Sequence, residues 1–193
     1  IAFAIALGIV SVSRLFAPIF WGEDFAPCAY ILSALALSIP FSGFANVIRM
    51  QYLIPNGMDG AYILSVILGA VSNLTANLLL IPRCGALGAA VGTVIAEGVV
   101  CAAQCLAVKK RIDILAYLKS TAFFGMAGLL MYGAVQVLDQ RAEITVSWLL
   151  LEIVVGGSVY CILSVLYLYH TKNELLMTAL QKLGGAHQNN DRG

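Results

Sequence analysis

The sequence predicts an all-α membrane protein, a polytopic bundle of six transmembrane helices. Three observations carry this expectation. Of 193 residues, 61% are hydrophobic and only 11% are charged, whereas soluble domains carry about 25% charged residues. The apolar residues fall in long runs, close to the roughly 20 residues a helix needs to cross the hydrocarbon core. The runs lack the period-two alternation of a β-barrel, and backbone polar groups in lipid must be satisfied within the segment, so each run is expected to be helical.

The first span runs from Ala2 to Phe20. It contains Arg14 and no small-residue cleavage site follows it, so it does not read as a signal peptide. The chain opens at Ile1 in mid-span, without a starting Met or a basic leader, and is expected to be a piece of something longer. WGEDFAP leads to the second span, Cys28 to Ile48, and RMQYLIPNGMDG, Arg49 to Gly60, reads as the connection to the third, Ala61 to Ile81. The PRCG stretch, Pro82 to Gly85, reads as a hairpin because Pro stops one helix and Gly lets the chain turn. The fourth span is Ala86 to Val108, the fifth Ser120 to Leu138 and the sixth Ile144 to Tyr169. Residues 1–169 thus form the transmembrane region and residues 170–193 a tail. In the tail, Leu176, Leu180 and Leu183 share a helical face, which suggests a short interfacial helix or a frayed extension of the last span. The closing HQNNDRG is expected to be disordered.

Lys and Arg concentrate in cytoplasmic loops. One set of alternate connections holds Arg49, Lys109, Lys110, Arg111, Lys119, Lys172, Lys182 and Arg192; the other holds only Arg83 and Arg141, and Arg14 lies within a span. This asymmetry places KKRIDILAYLK and the C-terminal tail in the cytoplasm, with WGEDFAP, PRCG and DQRAE facing outward. Read this way, the basic cluster is a topology signal, and no nucleic-acid partner is expected.

Polar residues inside spans cost free energy and often mark function. Here they are Arg14, Asn46, Asn73, Asn77, Glu97, Gln104 and Glu152. At 1.5 Å per residue, Glu97 lies roughly 16 Å from the outer end of its helix, near mid-bilayer, and Asn73 and Glu152 each about 12 Å down. Arg14, about 9 Å below the outer face, is close enough to snorkel. An ionised, unpaired Glu97 at that depth costs at least ~3 kcal/mol, so it is expected to be protonated, paired or in a wet cavity. Asn73 and Asn77, one turn apart, suit either interhelical hydrogen bonding or ligand contact. The fourth span is rich in small residues, and Gly88 and Gly92 form a G-x-x-x-G pair that lets helices approach closely.

Catalytic constellations are absent from the sequence. His170 and His187 lie in or beside the tail. Cys28, Cys84, Cys101, Cys105 and Cys161 form no C-x-x-C, and no His or carboxylate follows Cys101 and Cys105 at metal-ligand spacing, so no metal or cofactor is expected. There is no Walker motif. The outer connections are too short to house a catalytic cleft, which argues against a membrane enzyme such as a polysaccharide polymerase.

The elements FWGEDF (Phe20 to Phe25), QYLIPNG (Gln51 to Gly57) and GAVSNLTANLLLIPRCGALGAAVGTVIAE (Gly69 to Glu97) resemble, in this order and spacing, the C-terminal part of bacterial polysaccharide flippases of the multidrug/oligosaccharidyl-lipid/polysaccharide exporter superfamily. Together they span about half the chain; the last two spans carry no such motif. The resemblance implies a two-lobe exporter of about 12–14 helices, of which this chain supplies the C-terminal lobe plus two extra helices. It implies residence in the bacterial cytoplasmic membrane and an upstream lobe of the same protein as partner. The implied activity is flipping of undecaprenyl-diphosphate-linked oligosaccharides for capsule, exopolysaccharide or O-antigen, by ion-coupled alternating access. A lipid diphosphate needs cationic or hydrogen-bonding groups, for which Arg14, Asn73 and Asn77 are the candidates, and Glu97 suits the coupling ion. Arg49 departs from the uncharged residue usual near this position in the family, so the resemblance assigns it no substrate role. The alternatives are a drug or cation exporter or a peptidoglycan-precursor flippase of the same superfamily, or a membrane assembly subunit that transports nothing.

Overall fold

The computed structural model describes residues 1–140 and 143–170. The tail expected to hold an interfacial helix lies outside them, as does Arg141. Among the described residues the elements are all helical: α1 (Ala2–Trp21), a 3-10 turn (Glu23–Phe25), α2 (Cys28–Ala36), α3 (Ser38–Ile48), a π-helical turn (Arg49–Leu53), α4 (Asp59–Val108), α5 (Ile114–Asp139) and α6 (Val146–His170). Five stretches are long and apolar enough to cross a membrane: α1, the continuous run Cys28–Leu53, α4, and most of α5 and of α6.

The expected second span is kinked and longer than its hydropathy suggested. α2 stops at Ala36 and α3 resumes at Ser38. Pro40 is the cause: it has no N–H for the carbonyl of Ala36 and its ring crowds that carbonyl. At the other end the span does not finish at Ile48. Arg49 accepts a hydrogen bond from the Ile54 N–H at 3.0 Å, five residues on, so the chain makes a π-helical turn before it leaves the bundle. Leu53, expected in a loop, is fully buried against Ile48 and Val108.

Helix α4 contains both the third and fourth expected spans. Helical hydrogen bonding runs through Pro82, Arg83 and Cys84, and the backbone leaves helical geometry at Gly85, with φ 56° and ψ −134°. That positive φ is one that side-chain-bearing residues avoid. The PRCG turn is therefore concentrated in its last residue. Beyond it the chain folds back: Gln104 donates to Ser65 across the hairpin at 3.1 Å, and Ala61 and Tyr62 pack against the cluster of Ile48, Leu53 and Val108 near its base.

Helix α1 is the hub of the bundle. It packs on α2 and α3 on one side and on α5 and α6 on the other. The Ser13 and Ser33 hydroxyls meet at 2.8 Å between α1 and α2, the type of contact that ties apolar helices together where no hydrophobic effect separates protein from lipid. On the other side, Gly128 of α5 lies so close to Leu7 that a Cβ there would stand 2.6 Å from its Cδ1. Phe123 stacks on Tyr167 at 3.8 Å between α5 and α6.

Candidate functional site

Two adjoining recesses run along the α4 hairpin. The first, about 760 Å³, lies between the start of α1, α3 and α4, and its polar lining includes Asn46, Arg49, Tyr62, Glu97 and Gln104. The second, about 400 Å³, lies on the hairpin toward Gly85 and includes Asn73, Asn77, Thr93 and Glu97. Val66, Glu97 and Val100 line both. The result is a polar groove along an otherwise apolar hairpin, with Glu97 at its middle.

The π-helical turn sets the position of Arg49. It keeps the residue in the bundle, where the guanidinium donates to Asn46 Oδ1 one turn earlier and to the Tyr62 hydroxyl at 3.4 Å. It also lies 5.3 Å from the Tyr62 ring centroid, a cation–π distance. Arg49 Nε is buried and donates to nothing. Gln104 is 1% exposed; its amide donates to Ser65, while its Oε1 is buried without a partner. Such groups cost free energy when left unmade, and each can still take a hydrogen bond from or give one to a ligand or water.

Of the residues picked out by sequence, Asn73, Asn77 and Glu97 meet in this groove. Asn77 donates to Asn73 Oδ1 at 2.8 Å, so their side chains act as one polar unit, and Asn77 Oδ1 remains buried and unpaired. Glu97 is half-buried, lines both recesses and forms no ion pair or hydrogen bond among the described residues. Gly92 is buried against Ala76 and Asn77, and any Cβ there would collide with Asn77 Oδ1. A Cβ on Gly88 would stand 2.5 Å from the Leu80 carbonyl oxygen. The G-x-x-x-G pair thus closes the hairpin on itself.

Arg14 is elsewhere. Its Nε contacts both Asp139 carboxylate oxygens, at 2.9 and 3.1 Å, and an Nη donates to the Asp139 carbonyl at 3.1 Å. It is not beside Asn73 or Asn77, and Glu97 has no contact with it. Asp139, read from sequence as part of an outward loop, is the last residue of α5 and only 7% exposed. The cation beside the groove is Arg49, which reasoning from sequence placed in a cytoplasmic connection and gave no substrate role. It was missed because hydropathy ended the span at Ile48. Tyr62 was missed too, and no local pattern links it to Arg49. The one usable signal was Pro55, which removes an N–H six residues after Arg49 and accompanies the widened turn.

Chemically, the groove offers a guanidinium with a free N–H at one end, a neutral amide pair at the other, and a carboxylate between them. It can receive a polar or anionic group at Arg49 and a cation or proton at Glu97. No protein-family model, curated protein or solved structure matches this chain.

Proposed function

We propose that the chain is part of a flippase that moves undecaprenyl-diphosphate-linked oligosaccharides from the cytoplasmic to the outer leaflet of the bacterial cytoplasmic membrane by ion-coupled alternating access. The break at Gly85 makes α4 two crossings. With α1, α2–α3, α5 and α6 these give six, as in a lobe plus two further helices of a two-lobe exporter. The observation that carries this reading is the polar groove on the hairpin, with Arg49 and Glu97 in one recess. Arg49 takes the role first given to Arg14 and receives the diphosphate. Asn73 and Asn77 hydrogen-bond the polar headgroup further along, and Glu97 binds the coupling cation or proton.

The test uses the full protein in cells that depend on it for polymer export. Arg49→Gln is expected to reduce export at least tenfold at normal membrane abundance, with Arg49→Lys retaining part of it, since lysine keeps the charge but not the planar fork. Glu97→Gln is expected to give a similar loss. Normal export by either Gln variant overturns its assigned role. A second reading, a drug or cation exporter, is favoured by the unpaired Glu97 carboxylate. It predicts that Glu97→Gln blocks efflux of a lipophilic cation while Arg49→Gln spares it. Orientation follows from labelling: in a background whose only cysteine is Cys84, impermeant thiol reagent reaches it from outside, and it does not reach Lys110→Cys.

A further inference from the structure

A second acid lies away from the groove, among the three helices α1, α5 and α6. Glu152 is 1% exposed. Neither of its carboxylate oxygens meets a donor. The elements packed against α6 are α1 and α5, and their ionisable groups can be taken in turn. Arg14 is the only one on α1, and its guanidinium is engaged by Asp139 through two side-chain contacts and a backbone one. On α5, Asp139 is the acid that neighbours Glu152; Tyr132 lies about two turns below Asp139, and Tyr117 and Lys119 are near the opposite end of the helix. On α6 itself, Tyr160 and Cys161 lie more than two turns further along, and neither gives Glu152 a hydrogen bond.

The charges do not balance if both acids are ionised. One guanidinium on a largely exposed side chain then faces two buried carboxylates, and the second carboxylate has no donor to replace the water it lost. Two carboxylates that share a site cannot both ionise freely. A single added proton makes the trio neutral and also supplies the missing donor, because an O–H on Glu152 can be given to Asp139.

We propose that Glu152 is a proton-binding site, holding its proton as a neutral carboxylic acid whose O–H is donated to the Arg14-anchored carboxylate of Asp139. Loading forms one O–H bond on the Glu152 carboxylate, release breaks it, and the proton is exchanged with water; no electron transfer is involved. A cleft of about 380 Å³ between the three helices, lined by Ser11, Val135, Glu152 and Tyr160 among others, adjoins the carboxyl group. Release leaves an unbalanced negative charge where α6 meets α1 and α5. This holds whatever the hairpin groove carries, and it places a proton site on the two C-terminal helices, where the sequence shows no motif.

Infrared spectroscopy of the whole protein in a lipid bilayer tests the proposal. At neutral pH the protein should show the carbonyl stretch of a protonated, hydrogen-bonded carboxylic acid. That band should shift in D₂O, disappear reversibly as pH is raised, and be missing from Glu152→Gln. A Gln variant with an unchanged spectrum in this region overturns the proposal. So does loss of the band on adding sodium or potassium at constant pH, which would make the ligand a metal cation. If the Gln variant does not fold, Glu152→Asp keeps the acid on a shorter arm and should move the band and its titration midpoint; an unmoved band is fatal to the assignment. Asp139→Asn removes the acceptor and frees Arg14, and should shift or abolish the band, whereas an unchanged band rules out the part given to Asp139.

Discussion

The α4 hairpin and the α1–α5–α6 cluster each carry one glutamate inside an apolar helix, yet the two acids meet opposite surroundings. Glu97 opens into a groove with Arg49, Asn73 and Asn77. Glu152 is enclosed by packed helices, with no donor on either oxygen. Both regions reach close packing through glycine, but with different consequences. In the hairpin, Gly88 and Gly92 bring two arms of one helix together and leave the polar face of the pair open. In the cluster, Gly128 and Gly156 let α1, α5 and α6 close around the acid: a Cβ at Gly156 would stand 3.1 Å from Val135. Glu152 lies six residues from the start of α6 at Val146 and Glu97 twelve from the break at Gly85, so both sit well inside their helices. The difference is how many helices share each face, and this sets whether a carboxylate trades with solvent and ligand or with a buried neighbour.

The largest expected effect concerns the hairpin. Gly92→Leu should abolish its packing, because even a Cβ collides with Asn77, and overpacking costs typically 1–3 kcal/mol, with more for so large a side chain. Membrane abundance and thermal unfolding in detergent measure this. Gly98→Leu on the same arm is the control: nothing lies within 4 Å of a Cβ there, so little change is expected. Equal effects of the two would mean that the hairpin's close approach does not exist.

Next comes the cluster. Arg14→Ala leaves Asp139, 7% exposed, without its cation. Breaking a fully buried pair costs about 3–5 kcal/mol, but the Arg14 side chain is 62% exposed, so roughly 1–2 kcal/mol is expected. Adding Asp139→Asn to Arg14→Ala should recover much of it, since a neutral amide tolerates the site. No recovery in a double-mutant cycle would show that the two residues act independently. The smallest effect is Ser65→Ala, which removes the acceptor of the Gln104 amide; because Gln104 lines a recess where water can replace the hydroxyl, it should cost about 0.5–1 kcal/mol, read as a lowered melting temperature.

Several of these features are legible in the sequence. The approximate extents of the long helices follow from run length, and the hairpin turn from PRCG. Gly88 and Gly92 were recognisable because a four-residue spacing of glycines lies on one helical face. Asn73, Asn77 and Glu97 stood out simply as polar groups in apolar runs. Arg49 did not, because the end of a hydrophobic run and the end of a helix are different quantities: the run stops where charge begins, while the helix continues as long as N–H and C=O groups find partners, here through a π-helical turn.

By itself, the sequence determined what each segment must do locally: long apolar runs form helices because lipid offers backbone groups no partners, Pro40 kinks one of them, and Gly85 turns another. Which segments face each other was decided only by the tertiary structure. Arg14 and Asp139 are 125 residues apart in the chain, and nothing in either neighbourhood encodes the other. Glu97 and Glu152 likewise look alike as sequence. Their environments differ because interhelical packing is a sum over many small contacts between distant segments, and that sum leaves one face of the hairpin open and closes three helices around the other acid.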